Sequence, residues 1–300
     1  MLSNVKLFFN ESKETERGLI NVEVKRFSCP EEFLRHAEHA LLEHEAVNNL
    51  PLGLLYHLRE QQDSEAVLLS AENEQGIQLM AVMASGELIL AGDERRVEAA
   101  GELAAYIKKA GIRPPGVIGQ PAIAKAFADA WKRKTRVKMK QTIYQLDNVN
   151  DVSLSSGSLR KADQRDLELI TDWIHSFSEE AFHDGLGHEK AKKMAARGID
   201  KASIYVWEDC GEAVSMAQKS RPTKNGITVN LVFTPKNRRN KGYATSCVAA
   251  LSRTLLDEGV SFCSLYTDQA NPTSNKIYAE IGYRPVADSI VYAFDQSEKS

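Results

Sequence analysis

The residues best suited to chemistry lie where a β-branched run, Ile227 to Phe233, ends at Thr234-Pro235 and gives way to Arg238-Arg239-Asn240-Lys241-Gly242-Tyr243-Ala244-Thr245. A strand, a basic turn with one glycine and a helix apolar on one face make an anion site. The first turn of a helix leaves backbone N–H groups without partners, and the macrodipole adds partial positive charge there. Gly242 has no Cβ to keep an oxygen away, Ala244 is the next smallest choice, and Arg239 and Lys241 add charge, a setting that suits a pyrophosphate. A plain strand-to-helix connection is the competing reading of those residues alone. A second stretch, Asp268-Gln269-Ala270-Asn271-Pro272-Thr273-Ser274-Asn275, opens another helix that continues Lys276-Ile277-Tyr278. Asn271 falls just past a strand end, and Asn275 and Tyr278, three apart, share a helix face. Taken singly, Asn271 reads equally as an N-cap and Tyr278 as a core aromatic.

Together the two stretches resemble the GNAT acetyltransferase superfamily. Arg239–Ala244 (RNKGYA) fits that family's coenzyme A signature, Gln/Arg-x-x-Gly-x-Gly/Ala, with Val232-Phe233-Thr234-Pro235 before it and NPTSNKIYAEIGYRPV after it, in the order and at the separation the family shows. The resemblance covers roughly 159–295. It implies an N-acetyltransferase that moves the acetyl group of acetyl-coenzyme A to a primary amine of a small molecule or peptide by direct attack. It further implies that backbone groups of Leu231, Val232 and Phe233 pair with the pantetheine arm, and that Arg238 through Thr245 hold the pyrophosphate. Asn271 and Asn275 would contact the pantetheine, and Tyr278 would lie near the thioester sulfur as proton donor. An N–H of Val232 or Phe233 is the expected stabiliser of the charge that grows on the carbonyl oxygen. Cys247, inside the helix, reads as core rather than nucleophile, because a reactive thiol needs an exposed electropositive setting. The cofactor strand carries Asn230 and no acid. Glu179, Glu180, His183 and Asp184 occupy the position of the family's acceptor-binding segment, with a solvated helix end as their competing reading. A non-catalytic module that holds acyl-coenzyme A as a sensor is the alternative function.

These residues need strands and helices to position them. After a polar lead-in (1–20), the pattern predicts a strand over 21–27, helices over 30–45 and 51–61, strands over 66–71, 77–85 and 87–91, a helix over 94–109, a strand over 116–119, a helix over 121–132 and a strand over 136–146. The segment 147–157 (DNVNDVSLSSG) is polar and without hydrophobic period, and reads as an interdomain linker. The second half repeats the order: strand 158–161, helices 162–182 and 188–197, strands 203–208, 212–220 and 226–233, helix 241–258, strand 262–268, helix 272–281 and strand 284–295. The expected fold class is therefore α/β with a mixed sheet: two GNAT-like domains, 21–146 and 158–300, each a mixed, mostly antiparallel sheet flanked by helices. In the first, the turn corresponding to the signature reads Ala91-Gly92-Asp93-Glu94-Arg95-Arg96. It lacks the signature and places acids where phosphates would sit, and the helix that follows, 121–131, has no tyrosine in the place of Tyr278. The first half reads as a degenerate copy.

Bulk properties set the remaining bounds. The 300 residues carry a formal charge of -3, which argues against nucleic-acid binding through a broad basic surface. The one dense basic patch, Lys132 to Lys140, reads as a solvated turn. Cys29, Cys210, Cys247 and Cys263 have no CxxC spacing, so no metal site is expected, and scattered thiols fit a reducing cytoplasm. No run approaches the roughly 20 apolar residues that span a bilayer, so no membrane partner is expected. A monomer or homodimer is the expected state.

Overall fold

The computed structural model describes residues 22–62, 65–181 and 185–295. The first half runs β1 (Glu23–Arg26), α1 (Pro30–Leu42), α2 (Asn49–Gln61), β2 (Val67–Asn73), β3 (Gly76–Met83), β4 (Leu88–Gly92), α3 (Glu98–Lys109), β5 (Gly116–Gly119), α4 (Pro121–Trp131) and β6 (Thr135–Leu146). The second runs β7 (Ser158–Lys161), α5 (Leu167–Ala181), α6 (His188–Asp200), β8 (Ile204–Asp209), β9 (Glu212–Ser220), β10 (Gly226–Phe233), α7 (Tyr243–Asp257), β11 (Phe262–Asp268), α8 (Pro272–Ile281) and β12 (Arg284–Phe294). The order of elements in each half is the one expected, and all the strands join one mixed sheet flanked by helices. Among the described residues no helix is long and apolar enough to cross a membrane.

The starts of α2 and α7 differ from expectation by two residues, and two others differ by more, each for a local reason. The helix expected from Glu94 begins at Glu98, because the Asp93 carboxylate accepts from the Arg95 N–H and guanidinium and closes a separate turn, with Arg96 N–H bonded to Asp93 O at 2.9 Å. The helix expected over 162–182 begins as a 3-10 turn, Gln164–Asp166. Asp163 caps it by accepting from Arg165 N–H, while the Asp166 side chain accepts from the Asp163 N–H, a reciprocal pair that satisfies two orphan donors. Phe182, the last residue of that expected helix, lies outside the described residues.

The sheet order is β1-β2-β3-β4-β5-β12-β6-β11-β10-β9-β8-β7. The closing strands of the two halves are thus exchanged. β12, the end of the second half, pairs with β5 of the first (Ile290↔Gly119 to Ala293↔Gly116), and β6, the end of the first, pairs with β11 of the second (Cys263↔Leu146 to Asp268↔Gln141). β6 and β12 then pair with each other along nearly their whole length. Apolar layers lie on both faces of each half. Leu103, Ile107, Phe127 and Trp131 of α3 and α4 pack with Phe294 of β12, and Cys247, Leu251, Leu255 and Ile281 of α7 and α8 pack with Leu146 of β6. On the opposite face, α1 and α2 cover the first half and α5 and α6 the second.

The segment 147–157 is laid along the second half. Asn150 N–H donates to Ile281 O at 2.8 Å, Ser155 N–H to Ser246 Oγ at 2.7 Å, Ser155 Oγ to Lys241 O at 2.6 Å, and Trp207 Nε1 to Ser156 O at 2.9 Å. A fragment beginning at Ser158 would expose the edge of β11 and strip β12 of both neighbours. Such a fragment is expected to aggregate or remain unfolded by circular dichroism and amide NMR, and to fold when co-expressed with residues 1–157.

Candidate functional site

The site is built where two parallel strands part. β10 and β11 pair at Gly226↔Phe262, Ile227↔Cys263 and Thr228↔Ser264, and no further. Beyond Thr228, β10 stays with β9 and β11 stays with β6, so a cleft opens between them toward their C-terminal ends. β10 also carries a bulge. Asn230 pairs with Gln218 and Phe233 with Met216, so three steps on β10 match two on β9, and Leu231 takes φ +51°. The extra residue leaves the ladder and bends the strand. Leu231 and Phe233 turn toward α5 and α6, with Phe233 6.2 Å from the Trp173 ring, while Val232 turns toward α7.

At the cleft mouth lies the N-terminus of α7. Gly242 is its N-cap at φ +77°, and no side chain caps the helix. Ser246 N–H to Gly242 O, 2.9 Å, is the first intrahelical bond, so the N–H groups of Tyr243, Ala244 and Thr245 precede it. The glycine answers two demands: its left-handed φ, and a side chain's Cβ would stand 2.7 Å from Ser155 Oγ of the connecting segment. Asn240 is also left-handed, at φ +63°. Tyr243 is buried and donates its O–H to Asp209 Oδ2 at 2.6 Å, which ties the start of α7 to the tip of the β8–β9 hairpin and holds the Asp209 carboxyl below its ordinary range.

The basic side chains of this turn are already engaged. Arg238 pairs with Glu212. Arg239 donates from Nε to Thr234 O at 2.9 Å and from Nη2 to Glu180 at 2.7 Å, and lies over the Phe233 ring. Lys241 is exposed and lends its carbonyl to Ser155. Glu180 at the end of α5 is thereby drawn to the basic turn. Glu179 is exposed beside Gly185, and His183 and Asp184 lie outside the described residues.

On the far wall, Asn271 is the N-cap of α8 and accepts from Ser274 N–H at 3.0 Å. Asn275 donates weakly to Asp268 O at 3.5 Å, and its Oδ1 is buried with no partner. Asn230 Oδ1, at the bulge, is likewise buried with no partner. Tyr278 is buried against Tyr144 and Tyr283, with ring centroids at 6.5 and 6.0 Å, and burial pushes its hydroxyl well above the ordinary tyrosine range. Cys247 lies in the core and its thiol is pushed up to about 12 by burial, which leaves it inert at neutral pH. A larger open groove of about 590 Å³ lies beside α5, but its arginines are paired, Arg160 with Asp166 and Glu208, Arg165 with Asp163 and Arg238 with Glu212.

The first half shows the same parting after Leu88↔Val117 and Ile89↔Ile118. There Asp93 holds the turn where the second half offers free N–H groups. Only a cavity of about 20 Å³ remains, lined by Asn48, Pro51, Ile89, Gln120 and, from the second half, Tyr266 and Ser289.

Sequence reasoning did not find the contribution of α2 to the second half. Asn49 accepts from Thr228 Oγ1 at 3.1 Å, Glu45 accepts from the Asn225 N–H and side-chain amide at 2.7 Å each, and Gly53 packs on Arg221. The mid-helix glycine at 53 was the available signal, since it marks a close approach.

Residues 210–291 match a family model described as FR47-like protein. Among solved structures, the chain is similar to a GNAT-family acetyltransferase from Colwellia psychrerythraea (13% identical, TM-score 0.57, covering 91% of this chain and 100% of that one). It is similar also to a GCN5-related N-acetyltransferase from Sphaerobacter thermophilus (13%, TM-score 0.60, 90% and 94%). A third is a tandem GNAT protein from the clavulanic acid biosynthesis pathway (13%, TM-score 0.55, 93% and 100%). No curated protein matches the chain in sequence. The fold is that of the GNAT acetyltransferases. More particularly, it is the tandem form, with the same order of elements in each half.

The Arg239–Glu180 pair lies at the turn before α7, the turn that the sequence resemblance expects to hold a pyrophosphate. Glu180→Gln removes the competing charge, and is expected to tighten coenzyme A binding by about two- to tenfold at low ionic strength, with the gain shrinking as salt is raised. Calorimetric titration of both proteins checks this.

Proposed function

We propose that this protein is an N-acetyltransferase that moves the acetyl group of acetyl-coenzyme A to a primary amine of a small molecule or peptide. The observation that carries this reading is the parting of β10 and β11 beside the uncapped, glycine-led start of α7. A long narrow ligand with an anionic middle fits that pair of features. The buried, unpartnered Asn275 Oδ1 is an acceptor for an amide N–H of a pantetheine arm, and the bulge at Leu231 supplies backbone groups free of the ladder. In this reading residues 158–300 carry the cofactor and residues 21–146 wall the acceptor side. The protein acts in the cytoplasm as a monomer or homodimer.

Bound acetyl-coenzyme A supplies the acyl thioester. The N–H groups of Tyr243, Ala244 and Thr245, with Arg239 and Lys241, hold its phosphates. An N–H at Val232 or Phe233 faces the carbonyl oxygen and stabilises the charge that grows there as the amine nitrogen attacks. As the C–N bond formed and the C–S bond broke, the Tyr278 hydroxyl would give its proton to the sulfur, and the proton shed by the attacking nitrogen would return through water to the tyrosinate. Burial keeps that hydroxyl protonated through the neutral and mildly alkaline range, so it serves as donor and not as base. Cys247 takes no part.

Two substitutions test the reading. Ala244 is partly exposed in the first turn of α7. Ala244→Glu places an acid where the helix dipole welcomes one, so the fold is retained, while the charge repels a pyrophosphate. Acetyl-coenzyme A binding at one site in the wild type, lost in this variant, is the expected calorimetric result; equal affinity in both would put the cofactor elsewhere. Tyr278→Phe is expected to lower kcat by about tenfold to a thousandfold with little change in cofactor affinity, and unchanged turnover would remove Tyr278 from the mechanism. Cofactor binding without transfer to any of a broad panel of amines would leave a cofactor-holding module in place of an enzyme.

A further inference from the structure

The face of the cleft opposite α7 carries a cation with no use in the scheme above. Thr228 and Asn230 of β10 stand opposite Ser220 and Gln218 of β9 and share their side of the sheet. Thr228 Oγ1 also meets Ser264 Oγ at 3.0 Å, and Tyr266, two residues further along β11, faces the same way at the point where β10 and β11 have parted. Arg221, the residue after β9, crosses this face with its guanidinium 5.6 Å from the Tyr266 ring centroid. It is held by close packing: a Cβ on Gly53 of α2 would stand 2.7 Å from the Arg221 Cβ. The backbone at Arg221 is left-handed, φ +44°, which is an unfavourable conformation for a non-glycine residue.

A buried guanidinium ordinarily has a carboxylate partner. Here Nε is buried with no hydrogen bond, and no acid among the described residues forms an ion pair with the group. Glu45, the acid that the approach to α2 brings to this loop, is bonded to Asn225. Burial depresses the guanidinium pKa, with no acidic side chain opposing it. Two further polar atoms on the same face, Ser220 Oγ and Asn230 Oδ1, are also buried without partners. A half-buried cation whose Nε has no partner, beside two unused acceptors, is costly to leave in a folded protein, and each of these groups matches a different part of an amino acid.

Resting on the acetyltransferase reading, we propose that the acceptor is an amine that also bears a carboxylate, with Arg221 binding that carboxylate at the apex of the β10–β11 cleft. The planar guanidinium matches a carboxylate bidentately, and its single charge balances one carboxylate rather than a doubly charged phosphate. Asn230 Oδ1 and Ser220 Oγ accept from the amine N–H groups. The acceptor then lies on the α2 side of the sheet and the phosphates on the α7 side, so the two substrates meet through the cleft. The first half shapes specificity through α2, which presses Arg221 onto Tyr266.

The test compares matched acceptors, an α-amino acid and its primary amide, across a set of side chains, using wild type, Arg221→Met and Arg221→Lys. The expected result is a wild-type preference for the acid in kcat/KM of about tenfold to a hundredfold, the worth of a charge-assisted hydrogen-bond pair. That preference should vanish in Arg221→Met through a rise in KM and be partly restored in Arg221→Lys, with amide turnover retained. Arg221→Met should keep or raise Tm, because it removes an unpaired buried charge. Equal use of acid and amide by the wild type overturns the proposal, as does a fall in Tm with the preference unchanged, which would make Arg221 structural. If no amine is acetylated, the acetyltransferase reading has failed. Calorimetric titration of the amino acids into the coenzyme A-saturated protein then decides the carboxylate site separately: binding lost in Arg221→Met supports it and no binding overturns it.

Discussion

The antiparallel pairing of β6 with β12 at the centre of the sheet is the constraint from which the rest of the architecture follows. Each strand ends one half of the chain, and each has its other neighbour in the opposite half, β12 against β5 and β6 against β11. The ladder hydrogen bonds of both strands, and the aromatic contacts of Phe294 with Phe127 and Trp131, are satisfied only when both halves are present. Backbone groups buried in a sheet interior are expensive to leave unpaired, so the exchange fixes the two halves as one body. It also sets α2 against the end of β9 and the start of β10, where Asn49, Gly53 and Glu45 meet Thr228, Arg221 and Asn225. A surface element of the first half becomes a wall of the second half's cleft.

The halves share a topology and differ in what fills the parting of their parallel strands. In the second half the turn after the strand ends on Gly242 and leaves N–H groups free; in the first, Asp93 turns its carboxylate inward onto Arg95 and Arg96 and satisfies the turn from within. A carboxylate fixed at that place occupies the position an incoming anion needs and repels it. A cavity of about 20 Å³ lies at the parting of β4 and β5, and its walls include residues of the second half, Tyr266 and Ser289.

Much of the fold was legible because the breakers are strong. The bounds of β7, β9, β10 and α8 were read off directly, since Gly157, Gly211, Gly226 and Pro272 stand at or next to their ends. The starts of α3 and α5 were missed because Asp93 and Asp163 bond locally to the backbone, and such bonds compete with helix on equal terms in sequence. The strand exchange was not legible at all. β6 and β12 read as ordinary closing strands, and nothing in a strand's own alternation names its partner. The signature turn could be seen because its chemistry is local: one glycine, one small residue and the basic side chains lie within eight positions. Arg221 could not. It sits before Pro222 in the loop between β9 and β10, and α2, distant in sequence and brought in by the exchange, packs on it.

The cleft lacks an obvious base, and its electrostatics indicate why none is required of the protein. No aspartate or glutamate occurs on β10, and Glu180 is drawn away by Arg239. An alkylammonium entering a desolvated site loses stability relative to the free amine, because burial penalises the charged form. The guanidinium of Arg221 on the same face acts in the same sense until a carboxylate neutralises it, and Asn230 Oδ1 offers an acceptor without charge to hold an N–H. On the proposed reading, desolvation of the acceptor nitrogen in the cleft is what favours the neutral amine, and its proton is surrendered to water on entry. On that reading the demand left to the protein is a proton for the departing sulfur, and the Tyr278 hydroxyl, which burial keeps protonated, is the donor proposed for it.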